Sequence, residues 1–210
     1  MKSAKEDVGK REEDLAFAAV SGIPGTKAYR NVYIPLRGGR TAEIDILLVS
    51  AKGVVAIEVK GFGGAITGSA VRWEWTRTRR GKRSGGIERL KFYNPVRQSD
   101  AHLRAVSRYL RVPLASCHGL VVFSDRAVLK KVPPSTETCT ILQTKYLRGA
   151  LLRRLRAHGD RFSPAEASRI MQSIESLPVL GEEEKQRQIV QTRQAEKLRM
   201  AEQERRRQRR

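Results

Sequence analysis

Two cysteines in 210 residues, Cys117 and Cys139, cannot make a disulfide framework or a cysteine-bound metal site. Cys117 sits in an apolar stretch and reads as a buried strand residue. No apolar run approaches the ~20 residues of a membrane span, and the charged N-terminus has no apolar signal-peptide core. The chain is therefore expected in a reducing cytoplasm, with no membrane partner. There is no internal repeat, and Gly38-Gly39 is too short and isolated to be a phosphate-binding loop. It turns the chain instead, with Arg37 and Arg40 beside it able to touch phosphates. Acidic residues are scarce. Asp and Glu number 22 against 42 Lys and Arg, a net charge of +20, and the pI is about 10.8. That imbalance points to polyanionic partners. The stretch 182–210 holds ten basic and six acidic residues, a net +4, which leaves +16 on the remainder. The basicity thus belongs to the folded part as well.

A chain of this size makes one domain with appendages, large enough to bury a core without staples. Its centre is Thr41 to Lys60, where two apolar, β-branched runs flank the turn-like Ser50-Ala51-Lys52-Gly53. That pattern predicts a β-hairpin. A two-residue loop at Ala51-Lys52 sets Asp45 opposite Glu58 and Glu43 opposite Lys60; one at Lys52-Gly53 sets Asp45 opposite Lys60. In either register the period of two puts Asp45, Glu58 and Lys60 on one face. The other face carries Ile44, Ile46, Leu48, Val55, Ile57 and Val59 and reads as core. Two carboxylates facing each other cost a hairpin roughly 0.2–1 kcal/mol. A hard divalent cation reverses that sign, because Mg²⁺ binds to one or two carboxylates plus waters and phosphates. A neighbouring lysine can then orient a water or stabilise developing phosphate charge. The plainer alternative is an edge hairpin with solvated charges.

Asp45 followed by Glu58-Val59-Lys60 resembles the Asp…(Asp/Glu)-X-Lys signature of the restriction-endonuclease-like, or PD-(D/E)XK, superfamily. The words around it resemble the nuclease-related domain, or NERD, branch. These are Ile44-Asp45 before Leu47-Leu48-Val49-Ser50, Gly53 before the Glu58-Val59-Lys60 strand, Trp73-X-Trp75, and Phe92-Tyr93-Asn94-Pro95-X-X-Gln98. The likeness runs from about Glu12 to Leu155. It implies a mixed α/β sheet of about four or five strands flanked by helices, followed by a C-terminal charged helical tail. It further implies a metal-dependent nuclease in which Asp45 and Glu58, with the Val59 carbonyl, bind Mg²⁺ or Mn²⁺ and Lys60 positions the attacking water. Glu12 matches the N-terminal helix glutamate of the family, with Glu13 close by. Gln98 matches a helix glutamine that points back at the hairpin.

The rest of the chain reads as follows. Gly9 to Val20 forms a helix, and residues 29–36 a first strand with Pro35 at its end or on an edge. Gly61 to Gly68 turns into a further strand, and Trp73 and Trp75 alternate with polar residues on another, both rings in the core. Arg77, Arg79, Arg80, Lys82 and Arg83 crowd the turn after it, either as a basic finger on a nucleic-acid backbone or as a solvated tip. Asn94-Pro95 starts a helix to about Arg111, with Val96, Leu103, Val106 and Leu110 as its apolar stripe. His102 reads as a surface or boundary residue. Leu114 to Phe123 is a buried strand, 138–142 a short edge strand, 144–158 a basic helix, and Ser163-Pro164 caps another.

The expected organisation is a flexible N-terminus at 1–8 and a nuclease-like domain at 9–160. A packed helix at 161–181 and a charged, helical or disordered tail at 182–210 complete it. The tail's arginine-rich end acts as a nucleic-acid hook, as a solubiliser, or as a site for a protein partner or self-association. The expected substrate is DNA before RNA. The alternatives are an inactive nucleic-acid-binding module and an adaptor on the same fold.

Overall fold

A computed structural model describes residues 4–81 and 85–208. Helix α1 (Ala4–Val20) precedes strands β1 (Thr26–Pro35), β2 (Thr41–Ser50) and β3 (Gly53–Lys60). Three further strands follow, β4 (Gly64–Thr67), β5 (Glu74–Arg80) and β6 (Ile87–Tyr93), then helix α2 (Pro95–Leu110). After a short 3₁₀ turn come β7 (Cys117–Phe123), β8 (Ala127–Leu129) and β9 (Cys139–Gln143). Helices α3 (Thr144–Ala157), α4 (Pro164–Glu175) and α5 (Glu182–Gln208) close the chain.

Five strands form a mixed sheet in the order β1-β2-β3-β7-β9. The first three pair antiparallel, and β7 and β9 join parallel. This is the sheet expected from the sequence, with its flanking helices. The hairpin is central in it and buried on both faces. Leu47, Val49, Val54 and Ala56 pack against Leu103 and Val106 of α2 and Ile170 of α4. Ile46, Leu48, Val55 and Ile57 pack against Ala16 of α1 and Leu147 and Leu151 of α3. An edge hairpin with solvated charges is thereby excluded. The hairpin pairs Ser50 with Gly53 and Ile46 with Ile57, the register of an Ala51-Lys52 loop. Gly53 has φ +131°, and a Cβ there would stand 2.6 Å from the Ser116 carbonyl. Only glycine allows that turn beside that neighbour.

The sequence reading has no counterpart for the second sheet, of order β6-β5-β4-β8. It exists because Trp75, wholly buried, stacks on Phe123 with ring centroids 6.3 Å apart. Phe62 and Phe92 close the same cluster. The other tryptophan departs from expectation. Trp73 is half-buried, and the Arg97 guanidinium lies 4.2 Å above its ring.

Helix α2 is anchored where the Asn94-Pro95 pair starts it. The Asn94 side chain accepts the Val96 N–H at 2.9 Å and donates to the carbonyls of Ser69, Ala70 and Arg72. Ser163 and Glu166 form the capping box of α4. The final helix, α5, contains no buried residue among those described. It is a single charged helix, as expected, but it is not free in solvent.

Candidate active site

Strands β2 and β3 run past the end of their ladder, and there the charged residues meet. Beyond Ile46 and Ile57 the Asp45 side chain takes over the pairing: its Oδ2 accepts the Val59 N–H at 2.6 Å. Glu58 and Lys60 project beside it, as the period of two requires. Lys60 Nζ donates to Glu58 Oε1 at 2.6 Å and to Gln98 Oε1 at 2.9 Å. Sheet and helix thus hold one ammonium between them. Glu58 is buried, and its second oxygen, Oε2, has no hydrogen bond of good geometry. His102 Nδ1 lies 3.3 Å from it.

Asp45, Glu58, Lys60, Gln98 and His102 line one cleft of about 400 Å³. Glu13, Arg40 and Tyr93 lie on its walls. Burial, then the Glu58 charge, holds the Asp45 carboxyl well above the usual carboxylate range, against the pull of the Val59 N–H and Lys60. Burial also opposes the Lys60 ammonium, but the Glu58 charge and hydrogen bond outweigh it and raise the lysine above its ordinary value. Glu13 is raised too, first by burial and then by the Glu43 charge. His102 is lowered, by burial first, with Lys60 adding to the effect and Glu58 opposing it. Asp45 and Glu13 are thus biased toward their protonated forms, and a cation bound between these carboxylates would displace protons. The Glu58 carboxylate, the neighbouring Asp45 carboxylate and the Val59 backbone at the open end of the ladder are oxygen donors of the kind that could hold a hard divalent cation. Among the described residues no three of His, Cys, Asp and Glu form a metal cage. A cation here would rest on two carboxylates, a carbonyl and water, which suits Mg²⁺.

The structure separates the two glutamates of α1. Glu12 is buried away from the cleft, where its Oε1 accepts from Ser124 Oγ at 2.9 Å and Arg126 Nη2 at 3.0 Å. That contact ties α1 to the end of β7, and the next residue, Glu13, then faces the cleft. His102, read from the sequence as a surface or boundary residue, is buried beside Glu58 on the lining of the cleft. Its signal was present in the sequence: Gln98 and His102 are spaced i, i+4, so a helix that aims one at the hairpin aims the other there too.

The basic cluster is divided. Arg77 Nε donates to the Gly63 carbonyl at 2.6 Å and its guanidinium covers the Phe62 ring. Arg79 pairs with Glu88 at 2.8 Å. Arg80 is exposed. Lys82 and Arg83 lie outside the described residues. Two of the expected backbone-gripping arginines are therefore also structural, and Arg40, unlike those two, lines the cleft with the carboxylates.

One further element sits at the cleft, and no motif announced it. Gln188, Ile189, Thr192, Ala195, Glu196 and Arg199 of α5 form part of the lining. The helix thus forms one wall of the cleft, and the Glu196 charge acts on Lys60.

A model of the nuclease-related domain matches residues 9–124, more than half of the chain. The chain belongs to the nuclease-related domain family. That family is part of the restriction-endonuclease-like superfamily. The matched stretch contains Glu13, Asp45, Glu58, Lys60, Gln98 and His102; α3, α4 and α5 lie beyond it. An uncharacterized protein of Bacillus anthracis is 30% identical over 128 residues, covering 59% of this chain and 56% of that protein. The chain thus spans little more than half the length of that relative. No solved structure matches it. Membership in the nuclease-related domain family indicates a nuclease-related function. Among the described residues no helix is long and apolar enough to cross a membrane.

Proposed function

We propose that this nuclease-related domain protein is a divalent-metal-dependent phosphodiesterase acting on DNA, with RNA as the alternative substrate, in the cytoplasm. The observation that carries the reading is the paired carboxylates of half-buried Asp45 and buried Glu58, with Lys60 held against Glu58 by Gln98. Asp45, Glu58 and the Val59 carbonyl would hold Mg²⁺ or Mn²⁺. When bound, the cation neutralises phosphate charge and makes water a stronger nucleophile. The protein's own groups do the rest. The Val59 N–H fixes one oxygen of Asp45. Lys60, kept protonated by Glu58, offers its ammonium to a phosphoryl oxygen or to the attacking water. Gln98 keeps that ammonium at the cleft. Glu13 supplies the outer carboxylate, and Glu12 sets its direction through Ser124 and Arg126. Arg40, Arg77, Arg79 and Arg80, with Lys82 and Arg83, hold the backbone of the nucleic acid through charge.

Helix α5 lines this cleft beside Lys60, and in this reading α5 lifts to admit the substrate. A protein partner or a second copy of the chain that engages α5 would open the site. An inactive binding module on the same fold needs neither the metal nor the lysine. Cleavage of circular plasmid and of single-stranded DNA and RNA with Mg²⁺ or Mn²⁺, compared with EDTA, separates the two. Metal-dependent cleavage that disappears in Asp45→Asn supports the phosphodiesterase. Tight binding without cleavage on any substrate, with α5 intact or disrupted, refutes it.

A further inference from the structure

The geometry points to His102 as a positioning residue that sets the orientation of Glu58 for a divalent cation. This rests on the metal-site reading above and adds a role that the carboxylates and Lys60 do not fill. Glu58 has two oxygens. Oε1 is fixed by Lys60 Nζ at 2.6 Å. Oε2 is buried without a hydrogen bond, and His102 Nδ1 is 3.3 Å from it. Both side chains are enclosed, with 11% of the His102 side chain exposed and 6% of that of Glu58. An unpaired carboxylate oxygen in such a place is costly unless something completes it. A small rotation of the Glu58 carboxyl gives Oε2 a hydrogen bond from Nδ1 on one side and turns its remaining lone pair to the cleft.

The surroundings make His102 suited to this. It stands one helical turn after Gln98, so α2 presents two groups to β3, one to Lys60 and one to Glu58. Leu103 and Val106 are buried in the core and fix the helix phase. Three carbonyls bound by Asn94 fix the start of the helix. An imidazole is also the right donor in kind. A second lysine would add a further full charge beside Glu58, whereas a single ring nitrogen at 3.3 Å directs one oxygen of the carboxylate. Packing alone would need only a side chain of this size; orientation needs a donor at the Nδ1 position.

That difference defines the test. Asn places its amide nitrogen near the Nδ1 position, Gln places it nearer Nε2, and Leu offers no donor. Mn²⁺ binding to the full chain is measured by calorimetry without nucleic acid, alongside melting in EDTA. Groups that orient metal ligands typically change affinity 10–100-fold when removed. His102→Leu and His102→Gln are expected to weaken Mn²⁺ binding by about tenfold or more on that basis, and His102→Asn by no more than about threefold. If Leu does not fold, the Asn and Gln pair carries the comparison. Wild-type affinity in Leu or Gln, or equal losses in Asn and Gln, overturns the role. A wild-type chain that binds no divalent cation refutes the metal site itself, and the inference with it. That result is distinct from a site that binds metal indifferently to residue 102.

Discussion

Replacing Ala195 with proline should open the cleft. Ala195 lies mid-way along α5, half-buried over the site, with Glu196 beside it acting on Lys60. What holds α5 down is modest. Its domain-facing apolar side chains are chiefly Ile189 and Met200, both half-buried, and the rest of that face is polar. Full burial of such a side chain contributes about 1.5–3 kcal/mol, so two half-buried ones contribute about as much as one, roughly 1.5–3 kcal/mol together. A proline inside a helix costs about 3 kcal/mol. The penalty therefore equals or exceeds the apolar hold. At about 1.4 kcal/mol per factor of ten, it shifts the balance toward the open form by up to roughly 100-fold. A ligand that binds only the open form gains apparent affinity in proportion to the open fraction. Anisotropy of a labelled oligonucleotide in EDTA reads this without any cleavage. The expected result is tightening by about tenfold or more, up to that limit. The domain's melting temperature should hold, because every buried residue among those described precedes α5. Weaker binding at an unchanged melting temperature would refute the reasoning. In that case α5 is a gripping arm, as its arginine-rich end alone suggests, and not a cover.

Three further outcomes follow from the site. Asp45→Asn should abolish cleavage and change the pH profile of metal-free stability. A carboxyl whose folded pKa is raised stabilises the fold below its ordinary value of 3.8 and loses that contribution as pH rises toward the raised value, so the wild-type advantage over Asp45→Asn should shrink upward from there; a constant difference across that range would contradict it, and Mg²⁺ should restore the loss in the wild type only. Lys60→Met should remove the partner of a buried carboxylate and cost about 3 kcal/mol in urea unfolding, while slowing cleavage far more than it weakens nucleic-acid binding; equal loss of both would make Lys60 an anchor. Gly119 lies where β7 passes under α2, and a Cβ there would stand 2.0 Å from Ser99 Oγ. Gly119→Ala should therefore cost about 1–3 kcal/mol, most of it recovered by adding Ser99→Ala; no recovery would mean that the backbone and not the hydroxyl is the obstacle.

The elements of this molecule were legible wherever short-range rules govern. Alternation along 41–60 put Asp45, Glu58 and Lys60 on one face before any partner strand was known, because a strand's side-chain directions are set by its own backbone. Asn94-Pro95 and Ser163-Pro164 announced α2 and α4 for a similar reason: a cap satisfies groups within the first turn. The apolar stripe of α2 marked which side meets the sheet; Gln98 lies off that stripe, and its direction toward the hairpin came only from the family resemblance. The same spacing carried His102 to Glu58, although a lone histidine on a helix does not show whether it reaches the surface.

Other features depended on contacts between distant parts of the chain. Both hairpin registers kept the three charged residues together, and the choice between them came with Gly53 passing close to the Ser116 carbonyl. Glu12 and Glu13 are neighbours with equal claims in the sequence. Only the docking of α1 against Ser124 and Arg126 turned one into the wall and the other into the cleft. Arg77 and Arg79 looked free until Gly63, Phe62 and Glu88 came up beside them. The place of α5 was the least readable, since its few apolar residues give no stripe that names a partner. A helix held by scattered polar contacts is positioned by the shape and charge of the surface it meets, and that surface exists only after the strands and α2 have assembled.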